Sequence, residues 1–167
     1  MNLVFEKYIS EYSADLTRLC ISLCGNITDA EDLFQDTWYK AMKNYTRYNP
    51  EKSFEKWIYS ICVNTYKDSL RLFYNKRRVF FKTEEDKTDF LNSIPDSSPD
   101  NSEDYLELHT AINTLPKKQK VVIVLYYFKD YSLNEISEML NVPLGTVKSR
   151  LNLAKSNLRR RLNNEKV

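Results

Sequence analysis

Glycine is nearly missing from this chain: Gly25 and Gly145 are the only two in 167 residues, where ordinary usage would give about 12. Neither a Gly-x-Gly-x-x-Gly turn nor a Walker-type loop can be written with glycines 120 positions apart, so two common phosphate cradles are excluded. Tight hairpins that need φ > 0 lose their usual residue as well. A β-rich fold is therefore disfavoured, and an all-α fold is expected. Histidine is scarcer still. With His109 alone, a His-rich zinc site has no material and His-based catalysis has little, and neither a metal nor another cofactor is expected. The three cysteines, Cys20, Cys24 and Cys62, form no Cys-x-x-Cys pair. Their odd number, with no leader-like N-terminus, suits a reducing, cytoplasmic setting. Cys20 and Cys24 stand four apart among Leu16, Leu19 and Leu23 and read as small buried hydrophobes. Long apolar runs are lacking too. The stretch from Val121 to Phe128 is far short of the ~20 residues that span a bilayer.

What is present is charge, unevenly placed. Residues 1–82 carry 13 Lys+Arg and 10 Asp+Glu; residues 83–107 carry one Lys and nine acids; residues 108–167 carry 11 Lys+Arg and four acids. A weakly basic block, an acidic strip and a strongly basic block follow one another. The last of these favours a polyanion such as nucleic acid.

Helical periodicity runs through both blocks. Phe5, Tyr8, Ile9, Tyr12, Leu16, Leu19, Cys20 and Leu23, with Val4, mark a first helix that Gly25-Asn26 stops. Thr28 and Glu31 have the spacing of a capping box for a second helix through Leu33, Phe34, Thr37, Trp38, Ala41 and Met42. Asn44 to Ser53, with Asn49-Pro50, reads as a loop. A third helix carries Phe54, Trp57, Ile58, Ile61, Cys62, Thr65 and Leu72 on one face and ends in Lys76-Arg77-Arg78. Residues 83–104, rich in Asp, Glu, Ser and Asn, with Pro95 and Pro99, have little to bury and read as a flexible linker, in which Phe90, Leu91 and Ile94 can dock locally. Two small domains, 1–82 and 105–167, are expected on either side.

In the second domain, one helix from Tyr105 to Leu115 precedes another that Pro116 opens and that runs through Val121, Val122, Leu125 and Phe128. Ser132-Leu133-Asn134-Glu135 is a second capping box, Asn141-Val142-Pro143 a turn whose Asn tolerates the left-handed region, and Val147, Leu151, Ala154, Leu158 and Leu162 one face of a last helix. A short capped helix, a tight turn and a longer basic helix make a helix-turn-helix, whose second helix enters the major groove. The outward positions are Thr146, Lys148, Ser149, Asn152, Lys155 and Ser156.

Two further constellations stand in the first domain. Tyr45, Tyr48, Phe54, Trp57 and Tyr66 interleave with Arg47, Lys52, Lys56, Lys67 and Arg71, the mixture on which single-stranded bases stack while cations meet phosphates. Trp57 reads as core and Tyr45, Arg47 and Tyr48 as exposed. Asn64, poorly suited to a helix interior, is a candidate base reader. The second helix has an acidic edge of Asp29, Glu31, Asp32 and Asp36 with Gln35. It either complements the helix dipole or faces a basic protein.

The run from Asp29 to Trp38, the run from Phe54 to Asn64, and the motifs Leu115-Pro116-Lys117-Lys118-Gln119, Tyr131 to Ile136 and Gly145-Thr146-Val147-Lys148-Ser149-Arg150-Leu151 resemble the two domains of extracytoplasmic-function (ECF) sigma factors. The likeness covers nearly the whole chain. It implies an initiation factor that binds core RNA polymerase through Asp29, Asp32, Leu33, Gln35 and Asp36. It implies capture of the minus-ten element by Tyr45, Arg47, Tyr48, Lys56, Asn64, Lys67 and Arg71. It implies readout of the minus-thirty-five element by Thr146, Lys148, Ser149, Arg150, Asn152 and Lys155. An anti-sigma factor, often membrane-bound, is a partner common in the family. Leu153 departs from the family, which often has Arg there; Ser137 and Asn141 replace a usual Ala and Gly. The 25 residues from 83 to 107 reach at most about 80–90 Å, more than the about 50–55 Å between two elements one and a half turns apart. Their acidity also suits a nucleic-acid channel of the polymerase. A free-standing helix-turn-helix regulator and a pure protein adaptor are the competing classes.

Overall fold

The computed structural model describes residues 2–75 and 103–165. The chain divides into two compact units, Met1–Pro95 and Asp96–Val167. Among the described residues all regular structure is helical. The linker over 83–104 and the basic knot Lys76-Arg77-Arg78 lie outside the described residues, except that Glu103 and Asp104 already form the first turn of a helix. Acids there complement the helix dipole.

The first unit packs α1 (Leu3–Cys24), α2 (Ile27–Asn44) and α3 (Phe54–Asn75), with a 3₁₀ turn, Tyr45–Arg47, after α2. Gly25 ends α1 in the left-handed region at φ 74°, its N–H bonding to the Ile21 carbonyl, as expected of a glycine stop. The start of α2 differs from expectation. Asn26, not Thr28, is the cap: its Oδ1 accepts from the Asp29 N–H at 2.9 Å while its Nδ2 donates to Asp29 Oδ2 at 2.7 Å. Asn26 adopts the extended backbone that a cap requires, so α2 starts directly at Ile27 and Thr28 falls inside the first turn.

The core combines Phe5, Leu16, Leu19, Cys20 and Leu23 from α1, Ala30, Leu33, Trp38 and Ala41 from α2, and Phe54, Ile58, Tyr59, Cys62, Val63 and Tyr66 from α3. The buried stripe of α3 is rotated from the expected one: Tyr59, Val63 and Tyr66 are inside, while Trp57 and Ile61 are only half-buried. Tyrosine obscured this stripe, because its polar tip leaves the inward side undecided in a sequence pattern. Val4 and Met42, expected inside, are 51% and 45% exposed.

The second unit contains α4 (Glu103–Asn113), α5 (Lys117–Ile123) continuing into a π turn (Val124–Phe128), α6 (Leu133–Leu140) and α7 (Leu144–Glu165). The π turn was not foreseen; the widened turn leaves Phe128 at the surface instead of on the core face. The Tyr131 N–H then closes onto the Leu125 carbonyl at 3.1 Å, and Asp130 takes a positive φ of 56°. The core here is Ala111, Ile112, Leu115, Val121 to Leu125, Tyr131, Ile136, Met139, Leu140, Val147, Leu151 and Ala154. Leu158 and Leu162 are half-buried. No helix among the described residues is long and apolar enough to cross a membrane.

Candidate polymerase and nucleic-acid interfaces

The helix-turn-helix of the second unit is fixed by the motifs that announced it. Ser132 Oγ accepts from the Glu135 N–H at 3.2 Å, and Glu135 Oε2 accepts from the Ser132 N–H at 2.9 Å, which closes the capping box. Asn141 ends α6 at φ 51°, ψ 49°. Ser137 adds what an alanine could not, donating its hydroxyl to the Val142 carbonyl at 2.6 Å across the turn. Asn157 Nδ2 donates to Gln119 Oε1 at 2.9 Å and ties α7 to α5.

This frame buries Val147, Leu151 and Ala154. Gly145, Lys148, Ser149 and Asn152, three and four apart, are exposed and so share the outer face. Thr146, Arg150 and Lys155 flank it, half-buried. The Lys155 ammonium lies 5.8 Å from the Tyr127 ring, within cation–π range. A Cβ placed on Gly145 would meet nothing within 4 Å. Leu153 is 54% exposed.

In the first unit the segment after α2 is clamped by rings. The Tyr48 hydroxyl donates to the Lys52 carbonyl at 2.6 Å, Asn49 Oδ1 accepts from the Glu51 N–H at 3.0 Å, and Ser53 Oγ accepts from the Lys56 N–H at 3.3 Å at the head of α3. Tyr48 lies 4.9 Å from Trp57 and stacks with Tyr45 at 6.1 Å. Tyr45 and Tyr48 are half-buried, not fully exposed as expected, because Tyr8 of α1 reaches both. Tyr8 also lies flat on Phe54, 4.0 Å between centroids and 8° between planes. Desolvation pushes the Tyr48 phenol above its ordinary pKa, with Tyr8 adding to the shift. Sequence reading missed Tyr8 as a member of this cluster; its only signal was the four-residue spacing to Tyr12. Arg47, Lys56 and Asn64 are exposed and Lys67 is half-buried. The Asn64 side chain makes no hydrogen bond among the described residues. Arg71 lies on α3, but its side chain is outside the described set.

The acidic edge of α2 separates into distinct parts. Asp32, Gln35 and Asp36 are exposed on one face. Asp29 is exposed but is engaged by the Asn26 cap. Leu33, expected at the polymerase contact, is 4% exposed. One position corresponds to 100° of helix rotation, which carries it from the Asp32 face into the core with Ala30, Thr37 and Ala41. Glu31 is buried as well; its Oε1 accepts from Gln35 Nε2 at 3.3 Å and braces the exposed amide from behind. The outer face continues through Tyr39 and Met42, 52% and 45% exposed, with the Lys43 ammonium 4.5 Å from the Tyr39 ring. Sequence periodicity placed Met42 inside, and exposed apolar residues on a charged face were the signal to look for.

Comparison with known proteins bears on these surfaces. The model of "Sigma-70 region 2" matches residues 8–72 and that of "Sigma-70, region 4" matches residues 105–158. The ECF RNA polymerase sigma factor SigW of Bacillus subtilis is 32% identical over 167 aligned residues, covering 95% of this chain and 88% of its own. The chain belongs to the ECF sigma factors. RNA polymerase sigma factor SigV of the same organism is 31% identical, covering 94% of this chain and 90% of its own. The fold agrees with the sigma factor RpoE from Bartonella quintana, solved in complex with the anti-sigma factor NepR. The TM-score is 0.73 at 23% identity, covering 95% of this chain and 96% of that one. As an ECF sigma factor the chain acts in promoter-directed transcription initiation, and the region 2 and region 4 matches fall on the two units already described.

Proposed function

We propose that the sigma factor divides its work between three surfaces. The outer face of α2, with Asp32, Gln35 and Asp36 and continuing through Tyr39 and Met42, binds core RNA polymerase. The ring-clamped segment with Tyr45, Arg47 and Tyr48, together with Lys56, Asn64, Lys67 and Arg71 of α3, takes the minus-ten element as melted non-template strand. The outer face of α7, with Thr146, Lys148, Ser149, Arg150, Asn152 and Lys155, reads the minus-thirty-five element. Residues 1–82 and 105–167 are the working domains, and residues 83–104 are the acidic linker between them. The protein works in the cytoplasm and performs no covalent step, which belongs to the polymerase. An anti-sigma factor is its regulatory partner, as the RpoE complex with NepR suggests.

The observation that carries this reading is the partition of α7: an apolar face seals the unit while Gly145, Lys148, Ser149 and Asn152 point outward together. Phosphate contacts position such a helix and base contacts specify the sequence. Each neutralised phosphate steepens the salt dependence of binding by about 0.9 in log–log slope. Lys148→Ala is therefore expected to weaken minus-thirty-five binding and to lower that slope by about 0.9. A fluorescence-anisotropy titration across a salt series measures it, and an unaltered slope would remove Lys148 from the phosphate contacts.

A further inference from the structure

Cys20 and Cys62 come from different helices, 42 positions apart, yet their sulfurs lie 3.8 Å from each other and both side chains are fully buried. The contact is part of the α1–α3 seam. One turn further along both helices, the half-buried Cys24 acts electrostatically on Tyr66. The seam thus runs from a sealed thiol pair toward a thiol at the surface. Neither the polymerase surface nor the DNA surfaces use these three residues.

We infer that Cys20 and Cys62 are a reversible dithiol–disulfide site, oxidised by hydrogen peroxide within the folded first unit. One cysteine sulfur attacks the peroxide oxygen, the O–O bond breaks, and a sulfenic acid and water form. The neighbouring thiol then attacks the sulfenic sulfur; the S–S bond forms and a second water leaves. Two thiols are oxidised and one peroxide is reduced, so the electrons balance. The second step needs no encounter, because the resolving thiol is already in contact. Closing from 3.8 Å to the ~2.05 Å of a disulfide requires the two side chains to turn toward each other. The oxidant must be close to water in size, since larger ones are excluded from the core until it opens. The bond would close a loop containing all of α2 and the segment from 45 to 53, restricting the unfolded chain and so stabilising the unit.

The test uses the reduced chain, with no DNA or polymerase, so its outcome is independent of the promoter-binding reading. The protein is exposed to hydrogen peroxide, then denatured, alkylated and digested without reductant. Mass spectrometry is expected to find the Cys20 and Cys62 peptides joined, two hydrogens lighter than their sum, with Cys24 not part of the link. The melting temperature should rise by several degrees and return to its starting value with dithiothreitol. Cys24→Ser should keep the cross-link and Cys62→Ala should abolish both it and the thermal shift. If Cys20 and Cys62 are both recovered alkylated, or if the link involves Cys24, the inference is wrong.

Discussion

Replacing Asp32 and Gln35 together by alanine is expected to weaken binding to core RNA polymerase by about 100-fold or more while leaving the fold intact. Both side chains stand on the outer face of α2 and contribute nothing to the core. Alanine has the higher helix propensity, which offsets part of the cost of leaving the buried Glu31 carboxylate without the Gln35 amide, so circular dichroism should be unchanged and the melting temperature should fall by only a few degrees. Residues central to an interface commonly cost ~2 kcal/mol or more when truncated, and each ~1.4 kcal/mol is tenfold in affinity. Two such losses on one face therefore reach at least two orders of magnitude. Gln35 is a strong candidate because the buried Glu31 carboxylate already holds its amide, which lowers the entropy lost on docking. Leu33→Ala is the contrasting control. It removes a buried side chain, and its effect should appear in stability, at about 2–5 kcal/mol. Unchanged affinity of the folded double variant in a titration against core polymerase would show that another surface makes the contact.

Asn64→Ala should slow promoter opening by about tenfold or more and leave duplex affinity nearly unchanged. The side chain is exposed on α3 and carries no structural hydrogen bond among the described residues. Its amide can both donate and accept, which suits the edge of an unpaired base. Extruding a base costs a few kcal/mol, offset by stacking worth about 1–3 kcal/mol per base and by polar contacts of the kind Asn64 offers. The half-buried rings of Tyr45, Tyr48 and Trp57, in the same unit, offer stacking surface. Losing the amide should therefore appear in the melted state. Permanganate footprinting against time reads opening, and anisotropy on intact duplex reads binding. Equal losses in both would place Asn64 in a duplex contact instead.

The parts of this molecule legible in its sequence are those set by local chemistry. The Ser132–Glu135 capping box, the glycine stop at Gly25 and the left-handed Asn141 each depend on one or two neighbouring residues, and each was readable from the sequence. The cap of α2 was missed by two positions because Asn26 and Thr28 are both good caps, and the backbone of the short α1–α2 connection decided between them. The π turn at Val124–Phe128 left no trace in periodicity, since a one-residue widening shifts only the positions that follow it. Leu33 lies within the family motif, and burial separates it from its neighbours there. Met42 shows the converse. An apolar residue at helical spacing reads as core, yet here it extends, with Tyr39, an exposed face. Contacts between distant segments were out of reach. Nothing in the spacing of Cys20 and Cys62, or of Tyr8 and Phe54, tells that they touch.

As an ECF sigma factor, this chain confers promoter selection on core polymerase. The direct measurement is transcription from a duplex genomic library by core polymerase with and without the purified chain, mapping the 5′ ends of the transcripts. The expected result is a set of starts that appears only with the chain, shares one minus-ten and one minus-thirty-five sequence, and disappears with the Asp32→Ala, Gln35→Ala variant. Starts that are the same with and without the chain, while the chain alone retards duplex DNA, would contradict the account and identify a free-standing helix-turn-helix regulator.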